Sequence, residues 1–160
     1  MIVFLYFLLA WGAFFSPGAE AEAPAINNSG LPLPRFASLK YGEVNLHVGP
    51  GRDYPIEWKL VRQSMPVEVT AEFDNWRRIR DFQGTTGWVH KSSLSGKETV
   101  IVKGAILVSL RKTPDLEGKI IMHLEPGVIG EFIQSRSCWS KIRVNKVDGW
   151  VDQKYLWGPG

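Results

Sequence analysis

Two short clusters carry the side chains best suited to recognition. Trp76-Arg77-Arg78-Ile79-Arg80 sets an indole among three guanidinium groups, and Trp139-Ser140-Lys141-Ile142 repeats the indole and the isoleucine. An indole offers a flat apolar face with a polar edge, so it stacks on a ligand and still tolerates water. Arginine adds a planar fork that pairs with a carboxylate on a peptide or sugar. This chemistry is binding, and the residues that would support catalysis are dispersed. His47, His90 and His123 are spread out, and Cys138 is the only cysteine. No spacing among them resembles a zinc site. Asp and Glu are scattered, with no obvious paired acid and base. The expectation is a non-enzyme without metal or cofactor. A lone thiol forms no internal disulfide, and Cys138 is expected to be buried as a small hydrophobe.

The elements that position these residues come as a repeat. Leu46, Trp76, Ile79, Gly87-Trp88-Val89 and Leu94 recur as Leu110, Trp139, Ile142, Gly149-Trp150-Val151 and Leu156. The spacing between partners drifts only from 64 (Leu46 to Leu110) to 62 (Leu94 to Leu156), as for two copies of one module with small loop changes. From Leu39 onward no apolar pattern holds helical spacing for long. Short β-rich runs bounded by turn residues are present instead, such as residues 44–48 before Gly49-Pro50-Gly51 and the alternating Val67-Glu68-Val69-Thr70-Ala71. Regular strands of this kind predict an all-β small barrel or sandwich. Trp76 and Ile79 lie three apart on a strand and point to opposite faces unless a bulge intervenes; the same holds for Trp139 and Ile142. If the isoleucines are core, both indoles face outward. By the same parity, Arg78 shares a face with Trp76. Trp88 and Trp150 are expected to pack against the terminal turn.

Residues 1–15 carry no charge and are nearly all apolar, Ser16-Pro17-Gly18 breaks the run, and Ala19 to Ala23 supply small residues with Ala-x-Ala spacing. This layout predicts a signal peptide over 1–21, although no basic residue precedes the apolar stretch. The stretch is short for a membrane span of about 20 residues. Loss of Glu20 with the leader leaves 15 acidic groups against 19 basic ones, a mild net +4. Export argues against a nucleic-acid ligand, despite the aromatic and basic mixture. Contact with a membrane is expected only through an uncleaved leader. Residues 22–37, with Pro24, Pro32 and Pro34, read as an extended linker, and Leu31-Pro32-Leu33-Pro34-Arg35 as a stiff tether rather than a polyproline ligand. Modules are expected over 38–96 and 97–160.

Val44-Asn45-Leu46-His47-Val48-Gly49-Pro50-Gly51 resembles the opening signature of bacterial SH3-like domains. Trp76-Arg77-Arg78-Ile79 and Gly87-Trp88-Val89 match that family's later elements. The second copy is degenerate, with Arg111-Lys112-Thr113-Pro114 in place of the Gly-Pro turn. His47 stands where the family often has arginine. The resemblance implies two tandem five-stranded barrels in an exported or envelope protein. It implies no single activity, because such modules target wall-cleaving enzymes and also occur alone. In SH3 barrels the Trp of a Trp-x-x-small element lines the peptide groove, as does a Tyr just before the terminal aliphatic. Tyr155 before Leu156 fits that second position, and Ser93 before Leu94 does not. Trp139, Tyr155, Trp76 and Arg78 are therefore the candidate ligand-binding residues. Their rings line a groove or cover the join between modules, and the sequence leaves both open. The expected function is recognition of a cell-envelope ligand, such as a peptidoglycan peptide or an envelope protein. The alternative is an assembly partner that regulates an envelope enzyme with its grooves occluded, and a more distant one is action on a host target.

Overall fold

The computed structural model describes residues 28–160; the leader expected over 1–21 lies outside them. Seven strands form the first module: β1 (Arg35–Leu39), β2 (Val44–His47), β3 (Ile56–Leu60), β4 (Pro66–Phe73), β5 (Trp76–Arg80), β6 (Thr86–His90) and β7 (Leu94–Ser95). Seven more form the second: β8 (Thr99–Val102), β9 (Val108–Arg111), β10 (Ile120–Leu124), β11 (Ile129–Arg136), β12 (Trp139–Val144), β13 (Val147–Asp152) and β14 (Leu156–Trp157). The sheet orders are β3-β2-β6-β5-β4-β1-β7 and β10-β9-β13-β12-β11-β8-β14, the same permutation twice. The architecture is all-β and tandem, as the repeat predicts. Seven strands replace the expected five, partly because two-residue strands follow the 3₁₀ turns at Lys91–Ser93 and Gln153–Tyr155. Among the described residues no pairing joins the two end strands of either sheet.

Each module closes over its own core. Leu46, Val67, Val69, Ile79 and Val89 are fully buried in the first, and Leu110, Ile142 and Val151 in the second. Period-two alternation puts these residues on one face. The repeated glycine makes room for a core leucine. A Cβ on Gly87 would lie 2.9 Å from Leu46 Cβ, and one on Gly149 only 2.5 Å from Leu110 Cγ. The hairpin between β12 and β13 turns on Asn145 and Lys146, both at positive φ (49° and 68°), which matches the right-handed twist of the flanking strands.

The linker expected over 22–37 ends earlier than its proline content suggests. Leu33 is buried in the first core, and residues 35–39 form β1 between β4 and β7. Proline favours an extended backbone, and extended backbone also suits a strand when its side chains have a core to enter. The two modules touch. Phe36 meets Trp157 edge-on, with centroids 5.2 Å apart, and Ile129 packs against the first core. Thr99 Oγ1 donates to the Ser64 carbonyl at 2.8 Å.

Candidate ligand cleft

Trp139 opens β12, with Arg136 of β11 on one side and Asp152 of β13 on the other. Asp152 also caps the following 3₁₀ turn by accepting the Lys154 backbone N–H at 3.1 Å. That turn ends in Tyr155, which lines the same cleft as Trp139. The two rings line one cleft of about 130 Å³, together with Arg111 and the loop residues Leu107 and Leu116. Leu107 is 60% exposed and Leu116 68% exposed, so the apolar rim faces water. Arg111 Nη1 donates to the Gly118 carbonyl at 2.8 Å, which ties down the loop carrying Leu116. A second hollow, formed with Thr113, Pro114 and Arg136, opens on Trp139 as well. The indole is thus a half-buried ridge between two depressions.

The cleft's charges are arranged in sequence-local pairs. Lys154 Nζ sits 2.9 Å from Asp152 Oδ2 and 4.8 Å from the centre of the Tyr155 ring. The hydrogen bond to Asp152 and that carboxylate's charge raise the Lys154 pKa above its ordinary value. The cleft therefore offers an anionic group, a cationic group and two ring faces within one small volume. Such a surface suits a peptide bearing both an amine and a carboxylate.

The other two candidates lie elsewhere. Trp76 is only 9% exposed, which corrects the expectation that its face is open. His47 and His90 cover it edge-on, at centroid distances of 5.1 and 5.7 Å. His47 is held there by Nδ1, which donates to the Tyr54 carbonyl at 2.8 Å. Arg111 and Asp152 occupy the same register in module two, and neither is a ring. Arg78 is exposed in module one, in a separate hollow of about 200 Å³ with Val48, Glu57 and Trp88. Trp150 is buried, and its register partner is Arg111. Cys138 is exposed, contrary to the expected burial, because it lies in the β11–β12 turn after Ser137 at φ 53°. Among the described residues no group of three or more His, Cys, Asp and Glu is placed to hold a metal.

Sequence reasoning missed Glu72. Its side chain is fully buried, with Arg35 Nη2 at 2.6 Å and Arg77 Nε at 3.1 Å. The register of β4 on β5 slips between Val69 and Ala71, so strict alternation cannot foresee which side Glu72 faces.

A family model described as the bacterial SH3 domain matches residues 40–96 and again residues 105–158. The chain belongs to the bacterial SH3 domain family. Among curated proteins, these SH3 modules are similar to a putative N-acetylmuramoyl-L-alanine amidase, YrvJ, of Bacillus subtilis (strain 168). The two are 24% identical over 131 residues, which is 71% of this chain and 25% of that protein. The chain thus spans a quarter of the length of that relative. Among solved structures, NlpC2 from Trichomonas vaginalis is 15% identical, with 78% of this chain and 48% of that one covered and a TM-score of 0.35. NlpC1 from the same organism is 12% identical, with coverages of 88% and 51% and a TM-score of 0.34.

Proposed function

We propose that this chain is a non-enzymatic, exported envelope protein whose second SH3 module binds a cell-wall peptide in the Trp139–Tyr155 cleft. The observation that carries this reading is the cleft itself: two aromatic rings, an Asp–Lys pair and an apolar rim meet there and face solvent. Stacking on Trp139 and Tyr155 would supply most of the affinity, as aromatic anchors do in recognition generally. Asp152 would attract a ligand amine, and Lys154 and Arg111 a carboxylate. The similarity to a protein named as an amidase of a muramoyl–alanine bond supports wall material as the ligand class. The closed state of the matching place in module one supports module two as the binding module. The test is retention of the protein on purified peptidoglycan sacculi, beside a Trp139→Ala Tyr155→Ala variant shown by circular dichroism to be folded at the assay temperature. Retention of the parent with loss of the variant is the expected result. If neither is retained, the wall reading fails and an envelope protein becomes the partner to seek.

A further inference from the structure

The larger of the two hollows described in module one lies on the side facing the module boundary, and the cleft of module two plays no part in it. It measures about 470 Å³. Its apolar lining includes Phe36, Ala37, Val69 and Leu94, while Arg35, Arg77 and Lys91 bring positive charge to it. Glu72 behind the arginines is already saturated. It accepts from Arg35 and Arg77, and also from the Ser29 backbone N–H at 3.1 Å and the Ser29 hydroxyl at 2.8 Å. Arg35 spends one prong of its fork on this carboxylate. The other prong, Nη1, is buried and has no hydrogen-bond partner among the described residues. A buried guanidinium nitrogen without an acceptor is destabilising, and because the Arg35 side chain is 20% exposed, a small turn of its fork toward the hollow would bring this nitrogen to an oxyanion bound there.

The charge count selects the kind of anion. Arg35, Arg77 and Lys91 face Glu72 and the rim residue Glu98, which leaves one positive charge in excess. One carboxylate balances that excess, whereas a doubly charged phosphate would overshoot it. The apolar lining suits small side chains next to the charged group. We propose that this hollow binds the C-terminal carboxylate of a short peptide with small apolar side chains, seated between Arg35 and Lys91.

The test uses the full chain and amide NMR spectra, with N-acetyl-alanyl-alanine as the probe, its C-terminal amide as one control and inorganic phosphate as another. The acid is expected to shift the amides of Ala37, Leu94 and Ser95, and the capped amide is expected to leave them unmoved. Lys91 is exposed, so Lys91→Ala is expected to fold normally and to weaken the acid by about tenfold. Trp139→Ala is expected to leave this binding unchanged, which separates its fate from that of the module-two cleft. Equal shifts from acid and amide would overturn the proposal. So would shifts from phosphate alone, an unaltered affinity in Lys91→Ala, or loss of binding only in Trp139→Ala.

Discussion

His90 lies edge-on to Trp76, with ring planes 85° apart, whereas the residue in the same register beside Trp139 is Asp152. Two exchanges of side-chain type, His90 for Asp152 and His47 for Arg111, therefore separate a covered indole from an open one. The backbone is equivalent in both modules: His90 and Asp152 each cap the 3₁₀ turn that follows.

This difference predicts opposite phenotypes for the two tryptophans. Trp76→Ala removes a buried ring and should destabilise the protein by about 3 kcal/mol. Trp139→Ala removes a half-buried one and should cost about 1 kcal/mol or less. Urea denaturation of both variants checks the order. Equal losses would mean that the Trp139 ring is held as tightly as the Trp76 ring.

Glu72 should set part of the acid stability. Burial alone would raise its pKa, but hydrogen bonds from Ser29 and Arg35 and the charge of Arg77 outweigh it and hold the carboxyl below the usual carboxylate range. A folded-state pKa below the unfolded one gives stability that is fully present above the unfolded value of about 4.3 and is lost as pH falls through the folded value. Glu72→Gln should leave the buried Arg77 and the half-buried Arg35 without their counter-charge and cost about 3 kcal/mol at neutral pH. Its stability should also fall less steeply than the parent's below about pH 4. Melting curves across this acid range test both statements.

The glycines of the repeated Gly-Trp-Val element should tolerate alanine unequally. Gly149→Ala would press a methyl to 2.5 Å from Leu110 Cγ and 3.0 Å from the Arg111 carbonyl, whereas the atoms nearest a methyl on Gly87 all belong to the Leu46 side chain, the first at 2.9 Å. Overpacking of this kind costs about 1–3 kcal/mol, and the variant that also meets backbone should lie at the upper end. Calorimetry of the two variants would show it, with Gly149→Ala melting lower.

These glycines also explain what was legible beforehand. The repeat could be read because its fixed letters answer to hard contacts: Gly87 under Leu46 and Gly149 under Leu110 leave no room for another residue. Trp139 and Tyr155 could be paired because both belong to one module and the turn between β13 and β14 is short. The covering of Trp76 could not be foreseen. It needs His47 from β2 and His90 from β6, which neighbour each other only after the sheet has formed. The burial of Glu72 depends on a slip in β4 that leaves no mark on residue types. Cys138 misled because its apolar preference lost to the geometry of a turn.

The position of β1 has a practical consequence. Its four register pairs with β4 and two with β7 make it an interior strand, although it enters the chain before the Gly-Pro turn that opens the repeat. A version of the protein trimmed to begin at Lys40 would lose this one strand and bare two sheet edges at once. Unpaired edges recruit strands from other molecules. Such a fragment would tend to aggregate, and its insolubility would be a fault of the trimming and not of the domain.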